Sequence, residues 1–254
     1  MDWTDFPAFV SFETIPARTF CTTRRIGASL SEYGPGDFRY ISEIPKKKEP
    51  HINLTFFATR LSISPDKIFF LKQVHGSHIV SIDAPFVEKR FSSPPLEGDA
   101  MISSLSGIAL VLFLADCVGI LLYSPEKGVS AVCHSGWRGS AENICGKVVD
   151  KMVNEWGCTP ETLVAGISPS ICGRCYEVGE EIVEQFTSYP DAIMHKNRRY
   201  FLDLPAIVTA QMVTAGMNPD SIEQSRICTK ENSHLWYSHR EEKDTGRFML
   251  GIIR

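Results

Sequence analysis

Between Ala100 and Cys133 the chain sets four β-like runs in close order, from Ala100 to Ser103, Ile108 to Leu114, Val118 to Tyr123 and Val129 to Cys133. Runs this apolar and this closely spaced predict the core of a sheet. The turn between the last two, Ser124-Pro125-Glu126-Lys127-Gly128, has the composition of a tight reversal.

Other elements surround this core. The stretch from Phe9 to Thr23 reads as one or two strands and runs into a loop marked by Gly27, Gly34, Pro35 and Gly36. Leu54, Phe57, Ala58 and Leu61 recur at helical spacing between His51 and Leu61, before Ser64-Pro65-Asp66 breaks the pattern. Two β-like runs, Ile68 to Leu71 and Ile79 to Ile82, flank Gln73-Val74-His75-Gly76 and place His75 at a strand end; a loop through Pro94-Pro95 follows. Ile144, Val148, Met152 and Trp156 predict a long helix from Ser140 to Trp156, with Gly157 as its C-cap. A strand from Leu163 to Ile167, helices from Val178 to Phe186 and Leu204 to Ala215, and a final strand from Phe248 to Ile253 complete an α/β reading. There is no internal repeat or interdomain linker, so residues 1 to 254 read as one catalytic domain, with the first 48 or so packed on it rather than folding alone.

With 43% apolar and 22% charged residues, the chain is of the globular class. A net charge of −4 gives no footprint for nucleic acid, and Lys46-Lys47-Lys48, flanked by Pro45, Glu49 and Pro50, reads as a solvated loop. The acidic start Met1-Asp2-Trp3-Thr4-Asp5 is not a secretory signal, and no apolar run reaches membrane-spanning length. A cytoplasmic protein without membrane partners is expected, its eight cysteines reduced and mostly bystanders. Oligomeric state is not legible.

Three segments put reactive side chains at predicted strand ends: His75, then Cys117 in Leu114-Ala115-Asp116-Cys117, then His134 in Val132-Cys133-His134-Ser135-Gly136-Trp137-Arg138-Gly139. Side chains leaving neighbouring strand ends can converge, and loops carried on a rigid sheet concentrate function. Two imidazoles and a thiolate make a good zinc set that leaves a fourth position open. Singly, each is more often a structural histidine or a core cysteine than a ligand, and spacing alone leaves convergence open. Cys172 and Cys175 form a C-x-x-C, but a structural zinc needs two further ligands and there is no second C-x-x-C, so they read as ordinary thiols. His78 is placed to support the site from behind, whereas His51, His195, His234 and His239 carry no local metal motif.

The segments Gln73-Val74-His75-Gly76, Gly98-Asp99-Ala100, Ala115-Asp116-Cys117, His134-Ser135-Gly136-Trp137-Arg138-Gly139, Cys175-Tyr176-Glu177-Val178-Gly179, Cys228-Thr229 and Thr245-Gly246-Arg247 span most of the chain. In kind and order they resemble the bacterial YfiH family, also called the multicopper polyphenol oxidase or laccase-domain family. The resemblance implies a layered α/β/β/α sandwich with mixed sheets, and His75, Cys117 and His134 as metal ligands. It implies a zinc-dependent purine nucleoside phosphorylase acting on adenosine and inosine-type nucleosides with phosphate, together with adenosine deaminase and methylthioadenosine phosphorylase activity. Departures from the family pattern are Ser135 in place of alanine, Gly119 in place of proline, the lack of an Asn-Leu segment between Gly27 and Glu43, and His239 and Glu241 around Arg240.

A zinc held by these ligands would acidify a water or polarise a substrate oxygen. Deamination then needs carboxylates for proton transfer, and Asp116 and Glu177 are the candidates, although Asp116 serves equally as a strand-end residue orienting its neighbours. Arg138, in a Gly-bracketed loop opening a helix, is the candidate phosphate holder or else part of a buried ion pair. Two alternatives stand beside this reading: a cysteine hydrolase cleaving amides with Cys117 as nucleophile and His134 as base, and a copper polyphenol oxidase. The latter calls for several histidine-rich centres, whereas seven histidines without a His-x-His motif provide one supported pair. A non-enzymatic binding module is a further reading, favoured by loss of partner binding without any loss of turnover when Cys117 is replaced by Ala.

Overall fold

The computed structural model describes residues 9–25, 52–84 and 96–254. The glycine-rich, lysine-rich and Pro94-Pro95 loops, and the missing Asn-Leu segment, lie outside them. Its strands are β1 (Phe9–Val10), β2 (Arg18–Thr22), β3 (Ile68–Phe69), β4 (Ile79–Ser81), β5 (Ala100–Ser103), β6 (Ala109–Leu114), β7 (Val118–Ser124), β8 (Val129–Ser135), β9 (Val164–Ile167), β10 (Glu177–Val178), β11 (Ile193–Lys196), β12 (Arg199–Leu202), β13 (Ile222–Gln224) and β14 (Phe248–Ile253). Its helices are α1 (Ile52–Arg60), α2 (Trp137–Ala141), α3 (Ile144–Trp156), α4 (Glu180–Val183), α5 (Leu204–Thr214) and α6 (His239–Glu242).

Two mixed sheets lie face to face. The first has the order β1-β2-β14-β6-β3 and the second β13-β9-β7-β8-β5-β4; each combines antiparallel pairs with parallel ones, β3 with β6 in the first and β4 with β5 and β9 with β13 in the second. Strand alternation explains why both remain dry on both sides. Along β6, Leu110, Leu112 and Leu114 face the second sheet, where they meet Leu121 of β7 and Val132 of β8. The alternate residues Ala109, Val111 and Phe113 face outward and are covered by Phe57, Ala58 and Leu61 at the α1 end of the chain. On the second sheet, Val118, Ile120 and Leu122 of β7 point away from the first and are covered by Val148 and Met152 of α3 and Ile207 and Val208 of α5. The layers are therefore α/β/β/α, as the resemblance implies. Each fully buried leucine or valine contributes about 1.5–3 kcal/mol to holding them together.

The expected helix over 140–156 is broken. Asn143 takes a left-handed backbone (φ 55°) and its side chain accepts the amide of Gly146, capping α3 at its true start. The four-residue apolar period begins at Ile144 for that reason, and Gly157 closes the helix in the left-handed conformation (φ 64°). The helix expected over 178–186 is cut to the single turn of α4 followed by a 3-10 turn, because Val178 pairs with Tyr200 in a third sheet, β10-β12-β11. That sheet was not foreseen: its hairpin turns at Asn197 and Arg198, both with positive φ (53° and 60°), so arginine holds the position where glycine would have signalled the turn. Among the described residues, no helix is long and apolar enough to cross a membrane.

Candidate metal centre

The antiparallel pairing of β7 and β8 sets Val118 opposite Ser135 and Gly119 opposite His134. Cys117, the residue before β7, is thereby delivered to the same sheet edge as His134. His75 arrives by another route. β3 ends at Phe69, so His75 stands in the following loop and not at a strand end, with a left-handed backbone (φ 61°). For a residue with a Cβ that conformation costs about 1–2 kcal/mol and needs outside support.

Asp99 supplies the support. Its fully buried carboxylate accepts the amides of His75 (2.9 Å) and Gly76 (2.8 Å), and its Oδ1 lies 2.8 Å from Nδ1 of His134. A carboxylate can only accept, so Nδ1 of His134 donates and Nε2 is the atom presented to the site. The Asp99 amide in turn donates to the His78 carbonyl (3.0 Å), so His78 supports the site through its backbone. Gly136 leaves the opening: a Cβ there would lie 3.2 Å from Cys117 Sγ and 3.3 Å from His75 Cδ2.

The ligand atoms of His75, Cys117 and His134 all lie within 4.8 Å of one another, and the two imidazoles meet edge to face at 4.8 Å. Burial pushes the Cys117 thiol up, but the charge of His134 and hydrogen bonds to both histidines prevail and lower its pKa to about 6. Burial works against the His134 cation, yet Cys117 and Asp99 raise its pKa to about 9. The same histidine, with the His75 and Gly76 amides, outweighs the effect of burial on Asp99 and holds that carboxyl below its usual range. A deprotonated sulfur and two nitrogens around one point fit a soft or borderline metal ion, which would take the place of the proton shared by Cys117 and His134.

The other expected residues fall differently. Arg138 is the second residue of α2; it is exposed rather than buried in an ion pair, with its guanidinium 4.3 Å from the Trp137 ring. Asp116 is buried with a positive φ of 87°, and its carboxylate accepts the Thr229 hydroxyl (2.6 Å) and the Arg240 amide (2.6 Å), the bonds of a residue that ties loops together. Glu177 is exposed on β10 and its carboxylate pairs with Arg199 of β12 (3.2 Å). Ser135, in place of alanine, shares a hydrogen bond with Ser140 (2.8 Å), and the Gly119 amide donates to Ser168 (3.0 Å), a bond proline cannot make.

Three residues went unassigned at the sequence level. Asp99 is the first. Tyr176 is the second: half-buried, its phenol is pushed up to about 12 by burial and then by the charge of Cys117, so it keeps its proton. Arg240 is the third, its guanidinium 4.9 Å from the Tyr176 ring and bonded to the Glu177 carbonyl (2.7 Å). Tyr176 and Asp99 stand inside motif segments, but nothing in those segments marks them as neighbours of Cys117. A cavity of about 490 Å³ opens elsewhere, on the third sheet beside Arg174, Lys196 and Arg199.

A family model described as multi-copper polyphenol oxidoreductase laccase matches residues 18–254. A purine nucleoside phosphorylase from Deinococcus radiodurans is 33% identical over 238 residues, 92% of this chain and 88% of that protein. Adenosine deaminase RL5, from an unknown prokaryotic organism, is 32% identical over 78% of this chain and 79% of its own. The crystal structure of YlmD from Geobacillus stearothermophilus superimposes with a TM-score of 0.88 at 24% identity, covering 98% of this chain and 97% of that one.

Proposed function

The chain belongs to the multi-copper polyphenol oxidoreductase laccase family, and on that premise we propose that it is a zinc-dependent purine nucleoside phosphorylase of adenosine and inosine-type nucleosides, with adenosine deaminase and methylthioadenosine phosphorylase activity. The observation that carries the reading is the convergence of His75, Cys117 and His134 in a chain whose relatives bear the names purine nucleoside phosphorylase and adenosine deaminase. We read residues 1 to 254 as one catalytic domain acting in the cytoplasm on small molecules. Zinc is favoured over copper because, among the described residues, neither candidate ligand group holds more than two histidines.

His75, Cys117 and His134 would hold the ion, which when bound supplies a Lewis acid and an acidified water. Asp99 keeps His134 in the tautomer that offers Nε2, and holds the His75 turn closed. Arg138, exposed beside the site, is the phosphate holder: a phosphate oxygen bonds to the anomeric carbon as its bond to the purine nitrogen breaks, and the electron pair leaves with the base. The departing base then needs a proton, and the Tyr176 phenol, kept protonated, is the donor we assign. Asp116 acts by positioning the loops of Cys117 and Arg240; Glu177 reaches a proton-transfer role only by leaving Arg199.

The test is to incubate zinc-replete protein with adenosine, with and without phosphate, and to resolve the products. Adenine and ribose 1-phosphate that depend on phosphate, and inosine that does not, are expected. No product above a His75→Ala control would refute the proposal. One observation favours a second reading: the depressed Cys117 pKa of about 6 beside a raised His134 is what a cysteine nucleophile and its base require. Stoichiometric zinc that blocks alkylation of Cys117 would decide against the hydrolase.

A further inference from the structure

Two turns that flank Asp116 gather a second set of ligands. Cys172 and Cys175 are separated by two residues, and Cys228 and Glu231 repeat that spacing. The C-x-x-C pair, which alone lacks two donors, finds them 56 residues further along the chain. The three Sγ atoms and a Glu231 carboxylate oxygen lie within 4.8 Å of one another.

In both turns the carbonyl of the first cysteine accepts an amide from four residues on. The Cys175 and Tyr176 amides donate to the Cys172 carbonyl (2.9 and 3.1 Å), and the Asn232 amide donates to the Cys228 carbonyl (3.1 Å). The turns are laced together by the Ser170 amide on the Ile227 carbonyl (3.2 Å) and the Thr229 amide on the Ser170 carbonyl (3.0 Å). The Cys172 amide points at Cys228 Sγ from 3.4 Å. Cys228 is buried, Cys172 and Cys175 are half-buried and Glu231 is exposed, so solvent reaches the cluster from one side.

We infer that Cys172, Cys175, Cys228 and Glu231 form a second metal site, a closed four-donor shell of the structural zinc class. Three sulfurs and one carboxylate complete a tetrahedron, and paired ligands two residues apart are the spacing by which tight turns present such donors. Magnesium and calcium are disfavoured by the soft sulfurs. The Cys175 Sγ–H contact with Glu231 Oε1, 3.5 Å long, is the one the ion replaces: the thiols of Cys172, Cys175 and Cys228 release their protons to solvent, and the sulfurs and the oxygen turn their lone pairs to the metal. Arg174, whose Nε lies 2.7 Å from the same oxygen, offsets part of the negative charge. The site also reaches the first centre through the chain, because the Ile171 amide donates to the Asp116 carbonyl (2.9 Å) and the Thr229 hydroxyl to its carboxylate (2.6 Å), one residue before Cys117.

The inference is independent of the purine reading, and its test separates the two. Zinc content is measured by mass spectrometry on folded, reduced Cys117→Ala and His75→Ala proteins after equilibration with zinc and dialysis. About one zinc per chain is expected in each, falling to nearly none when Cys175→Ser is added, with circular dichroism reporting the fold. Glu231→Gln is expected to weaken retention against a chelator about tenfold or more. Cobalt in Cys117→Ala is expected to give intense sulfur-to-metal absorption that Cys175→Ser abolishes. A folded Cys117→Ala protein without zinc overturns the site. Zinc content unchanged by Cys175→Ser overturns it too, as does a disulfide among the three cysteines.

Discussion

The two walls of the first centre are built by opposite means. One wall comes from the second sheet, where Asp99 just before β5 is fully buried, His134 in β8 is 2% exposed and Cys117 immediately precedes β7. The other is loop and helix end: His75, Arg138 and Arg240 are all exposed. In the sheet wall each polar atom is fixed by a partner that is itself fixed, so ligand geometry is settled before anything binds. The loop wall has fewer such constraints, and its exposed cations can follow a substrate. Position of the metal is thus a property of the sheet, and selection of the anion a property of the loops.

That contrast ranks the expected effects of substitution. Cys117→Ala, in the sheet wall, is expected to remove the zinc of the first centre, leaving about one per chain at the second site, and to lower turnover by about a thousandfold or more, read by metal analysis beside product assays. Zinc retained in the Cys117→Ala, Cys175→Ser double variant would break the contrast at its centre. Asp99→Asn should weaken zinc affinity by about 10–100-fold in a chelator competition and lower stability by about 1–3 kcal/mol, because a side-chain amide has one acceptor oxygen where the carboxylate uses two. Arg138→Ala should keep the metal and raise the KM for phosphate about tenfold, the loss of one charge-assisted bond worth about 1.5 kcal/mol. An unchanged KM would move the anion site to another residue of the loop wall.

A thiol titration sharpens the picture without substitution. In metal-stripped protein the Cys117 pKa of about 6 means that the thiolate fraction rises about tenfold from about pH 5 to about pH 7, and the alkylation rate should follow it and then level off. An ordinary thiol would still be climbing above that range. The smallest effect is expected at Glu177→Gln, about 0.5 kcal/mol or less in stability and under about twofold in turnover, since an exposed pair with Arg199 is all that is lost.

The sheet wall was also the more legible part. β6, β7, β8 and β14 announce themselves as apolar runs because both faces of each are buried, and Cys117 and His134 sit where those runs end. His75 was found through its motif, but its loop setting was not, since what holds the turn is a carboxylate 24 residues away. Asp99 carries no spacing signature: one buried acid reads alike whether it orients an imidazole or caps a turn. Tyr176 and Arg240 meet through long-range bonds, the Arg240 guanidinium to the Glu177 carbonyl across 63 residues and the Arg240 amide to Asp116, contacts no local pattern encodes. The third sheet escaped because Arg198 stands where a turn usually shows glycine.

The place of β14 bears on how the protein is made. It is synthesised after every other strand described, yet it lies between β2 and β6 and pairs with both along most of its length. Until it emerges from the ribosome, β2 and β6 each offer an open edge, and Leu112 and Leu114 lack the cover of Phe248 and Leu250. The second sheet, which bears Cys117 and His134, has all its own strands by β13 and can assemble earlier. The chemistry-bearing sheet therefore has all its strands before the other does, whose edges stay open until the last six residues of strand arrive.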